Sequence, residues 1–264
     1  MIRLEDVSVV FNKNTPVQRN ALTKLNLVVP EGQFVTVIGS NGAGKSTMLN
    51  VLAGELRPEN GSVFADEQDV TDRLLPHRAA LVARVFQDPR TGTCENLSIE
   101  ENLALALKRG GRRGFGTAVT RARQSEFATL VRDLGLDLEN RLSDPVSLLS
   151  GGQRQALSLL MATLQSAKIL LLDEHVSALD PRTAGYILAV TRRMVSEHKL
   201  TTLMVTHSMA AALELGERTI MLHEGRIVLD VHGESRKGLT VADLVQMFRK
   251  VRGDEIVEDQ LLLA

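Results

Sequence analysis

A stretch of nine residues, GSNGAGKST, starts at Gly39 and directly follows the five-residue run FVTVI. It has Gly39, Gly44, Lys45 and Ser46 at the fixed positions of the pattern G-x-x-x-x-G-K-[ST]. The run before it is short, rich in β-branched residues and continuously apolar, as expected of a strand covered on both faces. The segment after it, KSTMLNVLAGEL, predicts a helix that ends before Pro58. A strand, a glycine-rich turn and a helix in this order favour an α/β fold.

The residue types in this stretch suit a phosphate-binding loop. Glycines let the backbone turn so that its N–H groups point at phosphate oxygens, and the start of a helix adds the positive end of a dipole. Lys45 supplies a mobile charge for the β- and γ-phosphates of a nucleotide, and the Ser46 hydroxyl can ligate Mg²⁺. The alternative is an ordinary elbow between strand and helix with a surface lysine. The strand before the loop and the helix after it argue against that alternative.

A second apolar run, ILLL, stops at two adjacent carboxylates, Asp173 and Glu174. A buried carboxylate is costly unless it is paired or binds a metal, so the pair predicts either a solvated strand end or a cation site. Ligands of open α/β sheets gather at the carboxyl ends of the strands, so Asp173 can meet Lys45 there and hold Mg²⁺. Glu174 is then placed to polarise a water aimed at the γ-phosphate. With the phosphate loop, the pair predicts nucleotide hydrolysis.

The segment LLSGGQRQALSLLMA predicts a second anion-binding helix start. Ser150 supplies a hydroxyl, and Gly151 and Gly152 leave the backbone N–H groups free of side-chain obstruction. One nucleotide does not need two helix starts on its γ-phosphate within one compact chain, but two copies of the chain could supply one each. A Ser-Gly-Gly entry is common in helices, so this motif alone is weak evidence.

The remaining segments predict an α/β core that carries a helical insertion. IRLEDVSVVF and LTKLNLVV alternate in the manner of half-buried antiparallel strands, and GSVFAD, LVARVF, TTLMVT, RTIML and RIVLD add further strands. Helical patterns fill the stretch between Ser98 and Leu164. The basic run KRGGRRGFG, Lys108 to Gly116, predicts an exposed loop, either simply solvated or a patch for phosphate or a partner.

Composition narrows the classes of function. The net charge is −1, aromatic residues make up 3% and tryptophan is absent, which argues against a nucleic-acid or base-stacking surface. A single cysteine, Cys94, excludes an intrachain disulfide framework. The opening MIRLEDVSVVF mixes charges with apolar residues, unlike a signal peptide, and no run approaches the roughly 18–20 apolar residues of a membrane span. We therefore expect a soluble protein of the cytoplasm.

Six motifs in order resemble those of the nucleotide-binding subunits of ATP-binding cassette (ABC) transporters, over about residues 2–235. GSNGAGKST resembles the family's Walker A motif, LSGGQ its signature motif and ILLLDE its Walker B motif. SALD, Ser177 to Asp180, resembles the D-loop, VFQDP places Gln87 as the Q-loop glutamine, and MVTHS places His207 as the switch histidine. Phe11 lies where the family has an aromatic residue that stacks on adenine, unless it is an ordinary strand residue.

The resemblance implies a role for each matching position. The nucleotide would be bound by the loop that consists of Gly39, Ser40, Asn41, Gly42, Ala43, Gly44, Lys45, Ser46 and Thr47. The Mg²⁺ would be handled, directly or through water, by Ser46, Gln87 and Asp173. Glu174 would be the general base and His207 would contact the γ-phosphate, with Gln87 as a further catalytic residue. The site of an opposing subunit would be completed by Ser150, Gly151, Gly152 and Gln153.

His175 departs from the family, which most often has proline after the catalytic glutamate. Proline would fix φ and remove an N–H, whereas histidine restores the donor and adds a titratable ring beside the base. One interpretation is that His175 points at the D-loop or solvent and only shapes the turn. The other is that it shifts the pKa of Glu174 or makes a contact across a dimer. DEH with ALDPRTA also resembles importer ATPases that work with lipoprotein-type binding proteins, some of them linked to amino acids.

The resemblance predicts a RecA-like P-loop core with an N-terminal antiparallel β subdomain and a helical subdomain near residues 89–165. Residues 1–240 would form the nucleotide-binding domain and 241–264 a helical tail. We expect ATP hydrolysis, with Mg²⁺, that drives a separate membrane permease at the cytoplasmic face, as in importers that also use an extracytoplasmic binding protein. The segment DPRTGTCENLSIEEN would face the permease. The rivals are weaker: ABC ATPases of DNA repair or ribosomes carry coiled coils or two cassettes, and a GTPase would need N-K-x-D, which the nearest stretch, NKNT, does not match.

Overall fold

The computed structural model describes residues 1–111, 116–165 and 167–252. The strands are β1 (Ile2–Phe11), β2 (Arg19–Val29), β3 (Phe34–Ile38), β4 (Asn60–Ala65), β5 (Gln68–Asp69), β6 (Val82–Val85), β7 (Ile169–Asp173), β8 (Thr201–Val205), β9 (Arg218–His223) and β10 (Arg226–His232). The helices are α1 (Lys45–Ala53), α2 (Leu75–Arg78), α3 (Ile99–Ala106), α4 (Arg121–Arg132), α5 (Gly151–Thr163), α6 (Pro181–His198), α7 (Met209–Leu215) and α8 (Val241–Arg252).

The strands form two sheets. An antiparallel sheet has the order β2-β1-β4-β5, and a six-stranded sheet has the order β10-β9-β3-β8-β7-β6. Within the larger sheet β9, β3, β8, β7 and β6 are parallel and β10 is antiparallel to β9. The predicted α/β fold class, a P-loop core beside an N-terminal antiparallel sheet, is confirmed.

The central strands are buried because apolar layers cover both faces of the larger sheet. In β7 alternate side chains enter different clusters: Leu171 packs with α1 and the antiparallel sheet, whereas Leu170 and Leu172 pack with α5 and α6. Strand side chains alternate between faces, so an apolar run such as ILLL has no face left for solvent. This explains why the run reads as continuously hydrophobic up to Asp173.

The parallel register brings the ends of three strands to one edge of the sheet. Asp173, the last residue of β7, is paired with Val205, the last residue of β8. Val37 of β3 is paired with the same Val205 from the other side. The loops that leave β3, β7 and β8 therefore begin side by side. These loops carry the predicted phosphate loop, the Asp173–Glu174 pair and His207.

The helical segments α3, α4 and α5 lie within the predicted residues 89–165, but the boundaries of that subdomain stay a prediction. Helix α8 starts the predicted tail and packs on the core, where Leu244 and Phe248 are buried against Ile38 and Met221. The rest of the tail, residues 253–264, and residues 112–115 of the basic run lie outside the described residues. In the part of the chain that is described, no helix has the length and apolar character needed to cross a membrane.

Candidate nucleotide-binding site

The loop between β3 and α1 has a backbone that only glycine accommodates. Gly44 has φ 106°, and a Cβ added there would lie 2.5 Å from the carbonyl oxygen of Ala21. Gly39 has φ 151°, and a Cβ there would lie 2.3 Å from the carbonyl oxygen of Leu222. Both glycines are thus required by the close approach of neighbouring backbone as well as by φ.

Lys45 is buried at the first position of α1, and its Nζ donates to the carbonyl oxygens of Gly39 and Ser40 at 2.6 and 3.1 Å. Burial lowers the pKa of the Lys45 ammonium, while the charges of Glu174 and Asp173 oppose that shift. The lysine and the two carboxylates therefore lie within electrostatic reach of one another, as the sequence predicts.

A cavity over the loop joins it to the antiparallel sheet. It is lined by Phe11, Arg19, Ala21, Asn41, Gly42, Gly44, Lys45, Ser46, Thr47 and Glu174. Phe11 and Arg19 are cross-strand partners in β1 and β2, and Nη2 of Arg19 donates to the carbonyl oxygen of Gly42 at 2.6 Å. The structure thus brings Phe11 to the loop and adds Arg19, which no sequence motif indicates.

Glu174 follows β7 in a strained conformation, with φ 45°. Its N–H donates to the carbonyl oxygen of Val205 at 3.0 Å, which holds the turn against β8. Its Oε1 lies 2.6 Å from Nε2 of His207, the side chain that follows the end of β8. A positive φ costs free energy for any residue other than glycine. Such residues therefore occur where the fold dictates the direction of a side chain, as at functional sites.

Asp173 is paired with an arginine that the motifs do not include. Nη2 of Arg84, on the neighbouring β6, lies 2.6 Å from Oδ2 of Asp173. No cluster of three or more His, Cys, Asp or Glu side chains suited to a metal occurs among the described residues. One carboxylate with one hydroxyl, that of Ser46, fits Mg²⁺, which proteins commonly hold by one or two carboxylates together with nucleotide phosphates and water.

Several predicted site residues do not line the cavity over the loop, among them Asp173, His207, Gln87 and the residues of the signature motif. Gln87 instead donates from Nε2 to Oγ of Ser177 in the predicted D-loop, at 3.1 Å. Ser150 caps α5 through a capping box: Gln153 N–H donates to its Oγ at 3.2 Å, and Ser150 N–H donates to Oε1 of Gln153 at 3.1 Å. The helix start that carries the signature motif is well formed but does not line the cavity over this chain's own phosphate loop.

The two glycines of LSGGQ have different surroundings. A Cβ on Gly152 would lie 2.3 Å from Cγ2 of Thr183 in α6, so packing within the chain alone requires glycine there. A Cβ on Gly151 would meet Cδ2 of Leu179 at an ordinary 3.7 Å. Nothing in the described chain demands glycine at position 151.

The interpretation that His175 points at solvent is wrong, although the residue lines a cavity together with Ala178 and Leu179 of the predicted D-loop. The residue is only 2% exposed, and its Nε2 lies 3.0 Å from Oγ1 of Thr191 in α6. The Thr191 hydroxyl donates to the carbonyl oxygen of Ile187 at 2.8 Å, so it accepts from an Nε2–H of the ring. Burial lowers the pKa of His175 to about 4, so the ring is neutral at pH 7.

A phosphate loop with a buried lysine, a carboxylate pair and a histidine at the ends of neighbouring parallel strands define a P-loop nucleoside triphosphatase. Residues 22–177 match the family described as ABC transporter. The chain is 40% identical over 248 residues to a tyrosine transport ATP-binding protein of Clostridioides difficile, covering 94% of this chain and 98% of that one. The chain belongs to the ABC transporter family and is an ATP-binding, ATP-hydrolysing subunit.

Two further comparisons agree with this assignment. A thiamine import ATP-binding protein of Escherichia coli is 32% identical over 227 residues, covering 86% of this chain and 90% of that protein. A solved ATP-binding cassette, a dimer in a post-hydrolysis state bound to ADP and Pi, superposes with a TM-score of 0.76 at 28% identity. That comparison covers 90% of this chain and 100% of the solved one.

Proposed function

We propose that the chain hydrolyses ATP with Glu174 as the general base and uses the energy to drive import through a separate membrane permease. The observation that carries the catalytic part is the contact of Glu174 with His207, at 2.6 Å, beside the buried Lys45. Glu174 accepts a proton from the attacking water, and its strained backbone aims it. His207 orients that carboxylate and contacts the γ-phosphate.

The phosphate loop and the antiparallel sheet bind the nucleotide. The backbone and side chains of Gly39, Ser40, Asn41, Gly42, Ala43, Gly44, Lys45, Ser46 and Thr47 surround the phosphates, and Phe11 stacks on adenine. Lys45 leaves its carbonyl partners for the β- and γ-phosphates, because a phosphate oxygen is a stronger acceptor for an ammonium than a neutral carbonyl. When Mg²⁺ is bound it offsets phosphate charge, and Ser46, Gln87 and Asp173 are its protein partners, directly or through water.

The signature motif serves the nucleotide of a second subunit. Ser150, Gly151, Gly152 and Gln153 form a helix start that does not line the chain's own cavity. The solved relative described as a dimer bound to ADP and Pi supports a two-chain assembly for this chain. Two subunits would then sandwich two ATP molecules, each between the loop of one chain and the signature motif of the other.

The permease contacts this subunit through the segment after Gln87. Arg90 is well exposed there, with a side-chain exposure of 69%. Glu95, which the sequence also assigns to this surface, accepts a hydrogen bond from the largely buried Arg154 at 2.5 Å and so holds the segment to α5. Arg90 is therefore the better residue for docking, and Glu95 the better one for supporting it. This contact would place the subunit at the cytoplasmic face of the membrane.

The cargo is an amino acid of the tyrosine class, delivered by an extracytoplasmic binding protein. The relative named for tyrosine transport, 40% identical over 94% of this chain, supports this assignment. In cells that lack the chain, wild type should restore uptake of labelled tyrosine and Lys45→Ala should not. Uptake that is indifferent to the chain would reject the cargo and leave the ATPase assignment untouched.

Phosphate release by the purified full chain tests the catalytic part. Glu174→Gln and Lys45→Ala should each lower turnover by about 10²-fold or more, because one removes the base and the other a phosphate charge. Glu126→Gln is the matched control, since Glu126 is an exposed carboxylate on α4. Turnover that survives Glu174→Gln would reject Glu174 as the base.

A further inference from the structure

The side chain of Arg84 links strands β6 and β7 and helix α1 next to Asp173, a predicted partner of Mg²⁺. It projects from β6, the strand next to β7, and its Nη2 lies 2.6 Å from Oδ2 of Asp173. Its Nη1 donates to Oε2 of Glu55 and to Oδ1 of Asn50, both at 2.7 Å. The guanidinium thus ties the residue that ends β7 to the end of α1 and the residues just after it.

This ion pair is largely removed from solvent. The side chains of Arg84 and Asp173 are 10% and 13% exposed, against 38% for Glu55. The guanidinium carbon also lies 4.7 Å from the ring centroid of Phe86, which covers it. Without the arginine, the carboxylates of Asp173 and Glu55 would lose the cation that contacts both of them, a costly change when they are partly buried.

The contact holds Asp173 by one oxygen. Arg84 donates to Oδ2 of Asp173, and among the described residues no group donates to Oδ1. A planar guanidinium can hold two carboxylates at once in fixed directions, which the single ammonium of lysine cannot do.

We propose that Arg84 is a positioning residue for Asp173, fixing its carboxylate through Oδ2 so that the other oxygen is available to the Mg²⁺ that accompanies ATP. The inference rests on the proposed role of Asp173 at the metal. Outer partners of metal-binding carboxylates act in this way, and their loss typically costs 10–100-fold in metal affinity. If Arg84 only stabilised the fold, its loss would lower the thermal stability and leave the contribution of Mg²⁺ to nucleotide affinity unchanged.

Nucleotide affinity with and without metal separates these roles. The affinity of the full chain for a non-hydrolysable ATP analogue is measured by calorimetry in excess Mg²⁺ and in EDTA. The dissociation constant in EDTA divided by that in Mg²⁺ is the ratio that gives the metal's contribution. Arg84→Met should lower this ratio by about tenfold, while the affinity in EDTA stays within about twofold of wild type. An unchanged or larger ratio would overturn the proposal.

Two further variants act as controls. Glu55→Gln removes the other carboxylate but leaves the Arg84–Asp173 contact, so its ratio should match that of wild type. Arg84→Lys keeps the positive charge but not the planar guanidinium, and it should still lower the ratio. This variant tests the positioning role if Arg84→Met does not fold. Thermal unfolding of each variant without nucleotide measures the structural contribution on its own.

Asp173→Asn distinguishes failure of this inference from failure of the proposed metal role. If Asp173→Asn abolishes the effect of Mg²⁺ but the Arg84 variants do not reduce it, only the positioning role of Arg84 is rejected. If Asp173→Asn leaves the ratio at its wild-type value, the metal role of Asp173 and the positioning role of Arg84 are both rejected. A reduced ratio in Asp173→Asn and in both Arg84 variants supports both.

Discussion

Nε2 of His207 and Oε1 of Glu174 lie 2.6 Å apart, across the boundary between two neighbouring parallel strands. The contact follows from register: Asp173 pairs with Val205, so the residues just beyond the two strands leave the sheet at the same level. Each side chain limits the rotamers of the other. The carboxylate is therefore oriented before any nucleotide binds, which lowers the cost of reaching a reactive geometry.

The first prediction is that Glu174 and His207 act as one unit. Glu174→Gln and His207→Ala should each reduce ATP turnover strongly, by about 10²-fold or more for the glutamate. The double variant should be little worse than Glu174→Gln alone, because residues that act together are not additive. Single-turnover phosphate release on all four proteins completes the cycle. Effects that multiply would show that the two side chains work independently.

The sequence predicts that Lys45 and Glu174 lie close together, because each follows a strand that is recognisable from its apolar run, and both residues line the same cavity. Their roles stay predictions. The contact of Arg84 with Asp173 could not be predicted, because it depends on β6 lying beside β7 at the end of the order β10-β9-β3-β8-β7-β6. Strand order is a property of tertiary packing that no single segment encodes.

Arg19 and His175 escaped prediction for the same reason. Arg19 reaches Gly42 only because the antiparallel sheet is docked on the phosphate loop. His175 turns inward because α6 offers it Thr191, sixteen residues away in sequence. A polar residue beside a motif gives no sign of which way its side chain faces until the covering helix is placed.

The second prediction concerns pH and His175. The pKa of His175 in the folded chain, about 4, is below the usual value of about 6.5. Between these two pH values the unfolded chain therefore binds a proton at this ring that the folded chain does not. Stability is unaffected by this ring above about pH 6.5 and falls by roughly 3 kcal/mol as the pH drops to about 4. His175→Gln keeps a donor for Thr191 and should reduce that loss in urea unfolding measured across this pH range.

The matched control is His198→Gln, an exposed histidine at the end of the same helix that holds Thr191. It should leave the loss of stability at low pH in place. The pH–rate profile of ATP turnover near neutrality should be the same for His175→Gln and wild type, because the ring is already neutral there. A displaced profile would revive a coupling between His175 and Glu174.

The third prediction is that the buried Arg78 is needed for stability. Its side chain donates to the carbonyl oxygens of four residues at the end of α1 and beside β5, namely Val51, Leu52, Val70 and Thr71. Arg78→Met removes these hydrogen bonds, although the carbonyl oxygens of Val51 and Val70 keep backbone donors in Gly54 and Arg73. The loss should cost on the order of 3 kcal/mol. Thermal unfolding should show a lower midpoint. Arg57→Met, which removes an exposed arginine, should leave the midpoint within about 1 °C.

The fourth prediction separates the two glycines of LSGGQ. Gly152→Ala places a methyl against Thr183 and should destabilise the isolated chain by roughly 1–3 kcal/mol. Thr183→Ser removes the opposing methyl and should restore most of that loss. Gly151→Ala should leave the unfolding midpoint unchanged and lower ATP-dependent association. If Gly151→Ala destabilises the isolated chain as much as Gly152→Ala, the reason for both glycines is internal packing.

The fifth prediction concerns the proposed shared site. A γ-phosphate held by Lys45 of one chain and Ser150 of another links the two chains only while it is intact, so hydrolysis should release them. Glu174→Gln removes the base but keeps the shape, so ATP should persist and the dimer should accumulate. Size-exclusion chromatography with light scattering should give twice the monomer mass with ATP and the monomer mass with ADP.

Ser150→Arg in the Glu174→Gln background tests where the second chain binds. The larger side chain should block the opposing nucleotide and abolish the dimer, while ATP affinity of the monomer changes little because Ser150 does not line its own cavity. Ser147→Arg, a substitution at an exposed residue just before the motif, is the steric control and should still allow the dimer. An ATP-dependent dimer that survives Ser150→Arg would mean that the chains associate through another surface, and the signature motif would then have no part in binding ATP.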